Sequence, residues 1–134
     1  MKIKSEQEMI EKGKAFAEYA NGVIELVGDV GAGKTTFVRG LAEGLGVEEL
    51  VTSPSFTISK AYACSDGKTL VHYDFYRLGD PGIMAEDLAE NLKIPNNIVI
   101  IEWSDSVKDI LPKKHTIINI KYNDDGSREL EITK

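Results

Sequence analysis

The residues best suited to chemistry are the stretch GDVGAGKT, which runs from Gly28 to Thr35. It satisfies the pattern GxxxxGK[ST] in full, after an apolar segment typical of a strand and at the start of a segment with helical periodicity. Glycines here let backbone N–H groups converge on phosphate oxygens, and a helix N-terminus adds a favourable dipole. Lys34 would reach the β and γ oxygens, and the Thr35 hydroxyl would ligate Mg²⁺. The pattern predicts nucleotide binding, and the alternative is an accidental glycine-rich turn.

Two carboxylates could complete a magnesium nucleotide site: Asp74 at the end of TLVHYD and Glu102 at the end of NIVIIE. An aspartate at such a strand end would hold Mg²⁺ directly or through water, whereas a glutamate could orient or deprotonate the attacking water. The two roles could be exchanged, so both residues are candidate metal ligands and, with Lys34, candidate catalytic residues. For each of them the alternative is a solvated carboxylate at a strand end.

Hydroxyl and aromatic side chains near these segments are further candidates. Ser53, Ser55 and Thr57 could face the other side of the ion, as switch segments do in other nucleotide-binding proteins, or form a surface turn. Trp103 is most simply a packing residue, although a ring at a strand end could line the nucleotide pocket. His72 is interpreted as structural.

The chain has only three arginines, so any cation beyond Lys34 comes from a short list. Arg77, close to Asp74 in sequence, could contact phosphates or a partner, or form a structural salt bridge. Arg39 lies on the helix that follows the glycine-rich loop and is interpreted as part of a surface pair. The third arginine of the chain, Arg128, follows the predicted hairpin turn at 123–126.

The elements that must position these residues follow from periodicity and turn signals. Helices are predicted at 5–20, with a Ser5/Glu8 capping box, and at 34–46, 85–92 and 104–111; strands are predicted at 23–27 and 97–103, and hairpins turn at 65–67 and 123–126. Strand, loop and helix alternate. We therefore predict a single α/β domain over residues 1–134, a P-loop NTPase-like three-layer fold with a mixed sheet and antiparallel hairpins at its edges.

Composition narrows the class of protein. The chain has 134 residues, 42% of them hydrophobic, and a formal net charge of −6, the wrong sign for gripping a nucleic-acid backbone unaided. The single cysteine, Cys64, cannot form an internal disulfide and is expected to be buried or semi-buried. The charged N-terminus lacks the apolar core of a signal peptide, so a cytoplasmic location is expected.

Four stretches, in this order and at these separations, resemble one family: GDVGAGKTTF, SPSFT, HYDFYRL and IEWSD. The chain is similar along nearly its whole length to the TsaE (YjeE) family of bacterial ATPases, which are required to form N6-threonylcarbamoyladenosine (t6A) in tRNA. The resemblance implies an ATPase with a modest intrinsic rate that binds the TsaB and TsaD proteins. TsaD would perform the transfer, TsaC or a relative would make the threonylcarbamoyl-adenylate, and tRNA would be met only indirectly.

The resemblance also implies roles for particular residues. Thr35 and Glu102 would lie at Mg²⁺, Gly31 to Thr36 would wrap the phosphates of ATP, and Asp74 would be important for hydrolysis. Residues 5–7 and the turn at 126–128 would lie near the nucleoside. With the loop motif and Trp103, the candidate nucleotide-binding residues are Asp29, Val30, Gly31, Ala32, Gly33, Lys34, Thr35, Thr36, Trp103 and Arg128.

Three other functions are compatible with a glycine-rich phosphate loop. A small-molecule kinase is the main alternative, although the chain is short for an acceptor pocket plus a lid and its arginines are few. A GTP-binding switch is disfavoured because the NKxD signature that reads guanine is absent. A non-hydrolysing, ADP-binding adaptor is the third.

Overall fold

Helices and strands alternate along the chain except at two hairpins in the computed structural model, which describes residues 1–29, 32–52, 59–75 and 82–133. In chain order they are β1 (Lys2–Ile3), α1 (Glu6–Phe16), β2 (Val23–Val27), α2 (Lys34–Gly44), β3 (Ser59–Ala63), β4 (Thr69–Asp74), α3 (Ile83–Leu92), β5 (Asn97–Glu102), a 3₁₀ helix (Ser104–Ile110), β6 (Thr116–Tyr122) and β7 (Arg128–Thr133). The two predicted hairpins and the helices α1, α2 and α3 are confirmed, although α1 ends at Phe16 and not near residue 20. Two further details differ: β1 was not predicted, and the segment after β5 is a 3₁₀ helix.

The strands form one seven-stranded mixed sheet in the order β1-β7-β6-β2-β5-β4-β3. Strands β6, β2, β5 and β4 are parallel neighbours, while β3 pairs antiparallel with β4 on one side and β7 pairs antiparallel with β6 and β1 on the other. Antiparallel hairpins therefore lie at both edges, as predicted. Because parallel strands end at the same edge, the last residues of β2, β4 and β5 lie there.

The two faces of the sheet carry separate hydrophobic clusters, because successive side chains of a strand point to opposite faces. In β5, Ile98 and Ile100 join a cluster with residues of α1 and α2, whereas Val99 and Ile101 join a cluster with α3 and the 3₁₀ helix. All six residues of β5 are buried, as its unbroken Ile/Val run indicates. The sheet is thus covered on both faces around its central strands.

Helices α1 and α2 approach each other closely through glycines. A Cβ atom added to Gly13 would collide with the Phe37 carbonyl oxygen, and one added to Gly40 would collide with the Ile10 carbonyl oxygen. At the start of α1, the Ser5 hydroxyl accepts a hydrogen bond from the Glu8 N–H at 3.1 Å. This confirms the predicted cap and fixes the first turn of α1 beside the start of α2.

Cys64 is half-buried, as expected, and burial raises the pKa of its thiol. Across the described part of the chain, none of the helices has the length and apolar character needed to cross a membrane.

Candidate nucleotide-binding site

The glycine-rich loop joins β2 to α2, as its sequence pattern predicts. Gly33 precedes α2 with a φ of 108°, a conformation that favours glycine, and it makes no side-chain cap. A Cβ atom on Gly28 would come within 2.5 Å of the Ile120 carbonyl oxygen, so only glycine fits there. The Ala32 N–H donates to the Asp29 carbonyl at 3.0 Å and tightens the loop. The start of α2 is therefore left to backbone N–H groups and the helix dipole, which suits an anion.

Lys34 lies at the centre of the site and is only 6% exposed. Its Nζ donates to the Gly28 carbonyl at 2.6 Å and lies 3.6 Å from Glu102 Oε1. The same ammonium lies 4.2 Å from the centroid of the Trp103 ring, within range of a cation–π interaction. The ammonium is thus held at the mouth of the loop by a carbonyl, a carboxylate and an aromatic face.

Glu102 is brought to Lys34 by the pairing of parallel strands. Leu26 of β2 is in register with Glu102 of β5, and Asp74 of β4 is in register with the same glutamate. Neighbouring strands are about 4.8 Å apart, so both carboxylates end at one edge beside the loop. Asp74 is 9% exposed and Glu102 is 4% exposed, which excludes the alternative of two fully solvated carboxylates.

His72 is a member of the site that the sequence did not reveal. It is fully buried, and its Nε2 lies 2.5 Å from Glu102 Oε2. Its Nδ1 has no hydrogen-bond partner among the described residues. Because a carboxylate oxygen accepts hydrogen bonds, Nε2 is the donor in this contact.

Trp103 has a left-handed backbone, with φ 56° and ψ 56°, directly after Glu102. It is the only non-glycine residue with positive φ among those the structure describes. A bulky residue in this region is strained and often marks a functional position. Here the turn ends β5 immediately after Glu102 and directs the chain into the 3₁₀ helix, with the Trp103 ring beside Lys34.

Two cavities flank the glycine-rich loop. One, of about 370 Å³, lies on the Trp103 side and is lined by residues of β2, the loop, the 3₁₀ helix and β6. The other, of about 340 Å³, is lined by Ile3, Lys4, Ser5, Glu6, Met9, Gly33, Thr36 and Arg128. The second cavity brings together three segments that the sequence analysis assigned to the nucleotide: the start of α1, the start of α2 and the beginning of β7.

A third buried carboxylate, Glu25 of β2, lines the larger cavity and is 4% exposed. Its Oε1 lies 3.3 Å from His115 Nε2, and its Oε2 lies 3.5 Å from Lys108 Nζ. His115 Nδ1 also lies 2.8 Å from the Pro112 carbonyl oxygen. The sequence shows Glu25 only as an interruption of an apolar strand, because its partners come from distant segments.

The structure brings most of the candidate residues to one edge of the sheet. Lys34, Asp74, Glu102 and Trp103 are grouped there, and Thr35 and Thr36 are half-buried in the first turn of α2. Arg39 is exposed, as expected, but donates to the Val51 carbonyl at 3.1 Å. Predictions for Val30, Gly31, Ser53, Ser55, Thr57 and Arg77 lie outside the described residues.

Among the described residues, the side chains at this site suit a metal ion only if a nucleotide supplies further oxygen ligands. Within the described ranges no three His, Cys, Asp or Glu side chains converge as a metal site would require. In nucleotide sites Mg²⁺ is bound by one or two carboxylates, a hydroxyl and phosphate oxygens, rather than by a closed protein cage. Asp74, Glu102 and the Thr35 hydroxyl match that smaller set in chemical type.

Comparisons with known proteins agree with one another. A family model described as "Threonylcarbamoyl adenosine biosynthesis protein TsaE" matches residues 3–130. The tRNA threonylcarbamoyladenosine biosynthesis protein TsaE of Haemophilus influenzae is 36% identical over 137 residues, 97% of this chain and 85% of that protein. The protein of the same name from Bacillus subtilis is 41% identical over 121 residues, 89% of this chain and 73% of that protein. The crystal structure of Bacillus subtilis YdiB has a TM-score of 0.78 and 35% identity, covering 97% of this chain and 80% of that one.

Proposed function

The chain belongs to the family described as threonylcarbamoyl adenosine biosynthesis protein TsaE, and from this premise we propose that it binds and hydrolyses ATP as an accessory factor in t6A formation on tRNA. The observation that carries the proposal is the 3.6 Å approach of Lys34 Nζ to Glu102 Oε1 at the mouth of the glycine-rich loop. A cation for phosphates and a carboxylate for metal or water are thereby adjacent. We assign the fold, on the same grounds, to the three-layer P-loop NTPase type.

In this proposal phosphate capture begins with an exchange of partners at Lys34. Its Nζ leaves the Gly28 carbonyl and moves to the β and γ oxygens of ATP, while the N–H groups of the loop and of the first turn of α2 surround them. The ammonium is already desolvated, so little of its hydration is lost on binding. Asp29, Ala32, Gly33 and Thr36 belong to the same cradle.

The carboxylates and the Thr35 hydroxyl would hold Mg²⁺, which when bound neutralises charge that develops on the phosphates. Asp74 and Glu102 divide two tasks, one as the nearer metal ligand and the other as the group that orients or deprotonates the attacking water. Glu102 suits the second task because His72 occupies its Oε2 and leaves Oε1 directed toward the loop. That water attacks the γ phosphorus in line with the leaving oxygen.

The proposed partners are the TsaD and TsaB proteins, with tRNA met only through them. The net charge of −6 supports this, because an acidic surface gains nothing from releasing counterions of a nucleic acid. An ATPase that transfers the γ phosphate to water also needs no pocket for a small-molecule acceptor, because its hydrolysis acts on the partner proteins. We place this activity in the cytoplasm.

Reconstitution tests the proposal. The t6A content of tRNA is measured with TsaB, TsaD, TsaC and ATP, with or without this chain, while released phosphate is followed in parallel. We expect t6A to accumulate over many turnovers only when this chain and hydrolysable ATP are present. Phosphate release without any gain in t6A would refute the accessory role, and t6A gain with a Lys34→Ala variant would refute the role of its nucleotide site.

A small-molecule kinase remains the second candidate, because a cavity of about 370 Å³ adjoins Lys34 and Trp103. A kinase would transfer the γ phosphate to a small acceptor without TsaB or TsaD, whereas the proposed ATPase transfers it to water. Incubation with labelled ATP and a cell metabolite extract separates the two: a labelled organic phosphate favours the kinase, and labelled inorganic phosphate alone favours the ATPase.

A further inference from the structure

Arg128, at the start of β7, contacts the glycine-rich loop from the opposite end of the chain. Its Nε donates to the Ala32 carbonyl at 3.2 Å, a contact between residues 96 positions apart. Its Nη1 donates to the Gly126 carbonyl at 2.8 Å, and its Nη2 donates to the Tyr122 hydroxyl at 3.1 Å. All three guanidinium nitrogens are therefore engaged with protein atoms.

The guanidinium is also stacked on an aromatic ring. Its central carbon lies 4.0 Å from the centroid of the Tyr122 ring, and Tyr122 is the residue in register with Arg128 across the β6–β7 pair. A planar guanidinium held by a ring and by fixed acceptors loses its freedom before any ligand binds. Lysine could not reproduce this fork of donors.

The turn that supports Arg128 is itself fixed. The Ser127 N–H and hydroxyl both donate to Asp125 Oδ1, at 3.0 and 2.6 Å, and Asn123 donates to the Ser127 hydroxyl at 2.9 Å. Lys2 forms an ion pair with Asp125 at 2.8 Å. These contacts hold the pKa of the Asp125 carboxyl well below its usual range. Strand β1 pairs with β7 on the other side, with Ile3 in register with Arg128.

Holding the Ala32 carbonyl has a consequence for the next residue. In a trans peptide the C=O and the following N–H point in opposite directions. The bond from Arg128 to the Ala32 oxygen therefore fixes the direction of the Gly33 N–H. Gly33 has a φ of 108°, and a glycine backbone could otherwise adopt many other conformations. Gly33 immediately precedes Lys34, so the same bond also fixes where α2 begins.

We infer that Arg128 is a positioning residue, which holds the Ala32–Gly33 peptide of the glycine-rich loop in the orientation that phosphate binding needs, from the β6–β7 hairpin, instead of contacting the nucleotide. This inference rests on the proposed phosphate site and differs from the role near the nucleoside that the sequence suggested. If Arg128 has this positioning role, it raises the affinity of every ligand that carries the phosphate chain, with or without a nucleoside.

The test compares ATP with inorganic tripolyphosphate, both with Mg²⁺, by calorimetry on the wild type, Arg128→Gln, Arg128→Lys and Tyr122→Phe. We expect Arg128→Gln and Arg128→Lys to weaken both ligands by a similar factor of about ten, and Tyr122→Phe to weaken both by a smaller factor. Lys93→Gln, which removes an exposed cation at the end of α3, outside the lining of both cavities, should change neither. Loss of ATP affinity with unchanged tripolyphosphate affinity would overturn the inference in favour of a nucleoside contact, and normal binding by Arg128→Lys would reduce the role to charge alone and overturn it too.

A second measurement needs no ligand and separates this inference from the proposed function. Hydrogen exchange is followed in the peptide spanning residues 27–36 of the ligand-free wild type and Arg128→Gln. We expect faster exchange there in the variant, with the β6–β7 hairpin still protected and the melting temperature nearly unchanged. Unchanged exchange in that peptide would overturn the inference even if ATP binds, whereas faster exchange would support it even if ATP is not hydrolysed.

Discussion

His72 Nε2 and Glu102 Oε2 lie 2.5 Å apart between neighbouring parallel strands, with both side chains buried. The histidine occupies one carboxylate oxygen and leaves the other 3.6 Å from Lys34. Hydrogen bonds to a charged acceptor are stronger and more directional than neutral ones. The orientation of the Glu102 carboxylate at the proposed catalytic site is thus set by its hydrogen bond with His72.

Replacing His72 with leucine should lower turnover with little effect on ATP binding. The change leaves Glu102 Oε2 buried without its donor, which costs about 1–3 kcal/mol of unfolding free energy and frees the carboxylate to turn. We expect kcat to fall about tenfold or more, while the dissociation constant of ATP changes less than about twofold. Steady-state hydrolysis and calorimetry measure the two quantities separately.

Two controls accompany the His72 variant. His72→Gln keeps an N–H donor and should recover part of the lost turnover. His115→Leu removes the other histidine of the chain, which contacts Glu25 instead, and should leave hydrolysis unchanged. Equal losses of kcat and of ATP affinity in His72→Leu would point to a general structural role and contradict the prediction.

Alanine at either strand-end carboxylate should separate binding from hydrolysis. Asp74 and Glu102 are in register on β4 and β5, whereas the proposed phosphate site is formed by the loop and α2. Asp74→Ala and Glu102→Ala should therefore retain nucleotide binding while losing turnover. A single-turnover assay with saturating ATP, in the presence of TsaB and TsaD, gives the rate of the chemical step. Hydrolysis at the wild-type rate by either variant would remove that residue from the mechanism.

The single tryptophan should report the movement of Lys34. The Lys34 ammonium lies 4.2 Å from the centroid of the Trp103 ring, and ATP is expected to draw it away. Selective tryptophan excitation should show a saturable change in emission on adding ATP with Mg²⁺. Lys34→Ala should abolish the saturable change and lower ATP affinity by about 2 kcal/mol or more, because a buried charge partner is lost. Lys60→Ala, which removes an exposed lysine of β3, is the matched control and should leave both the emission change and the ATP affinity unaltered. An emission that stays constant at saturating ATP would contradict the proposed exchange of partners.

The helices and strands could be predicted because each carries a local signal. Hydrophobic periodicity marked α1 and α2, the unbroken Ile/Val run marked β5, and Gly67 and Gly126 marked the two hairpin turns. The two-residue strand β1 has no such signal, since its pairing with β7 depends on residues more than a hundred positions away. The 3₁₀ helix could not be distinguished from a short α-helix by periodicity.

The candidate site could be proposed from the sequence only where residue type and position along the chain suffice. The loop motif identified Lys34 and Thr35, and the ends of apolar runs identified Asp74 and Glu102. The link from His72 to Glu102 spans 30 positions and depends on the register of β4 with β5. The link from Arg128 to Ala32 depends on the order of strands in the sheet, which places β7 two strands away from β2. Register and strand order arise from packing of the whole chain, so no local pattern contains them.

The phenol of Tyr73 anchors α3 to the sheet and should give stability a dependence on alkaline pH. Tyr73 is fully buried, donates to Asp87 Oδ2 at 2.6 Å and accepts from Asn91 Nδ2 at 2.6 Å. Burial first, and then the bond to Asp87, raise the pKa of Tyr73 above its usual value. The raised pKa means that the stabilisation is complete below the pKa of about 10 of the unfolded chain and is lost as pH rises toward the folded value.

Tyr73→Phe should therefore lower the free energy of unfolding by about 1–3 kcal/mol at neutral pH. The difference from the wild type should then shrink as the pH rises above about 10. Urea unfolding at a series of pH values measures this, with Tyr19→Phe, a change at a side chain 65% exposed, as the control. A difference between wild type and Tyr73→Phe that stays constant from neutral to strongly alkaline pH would show that the phenol proton does not hold α3.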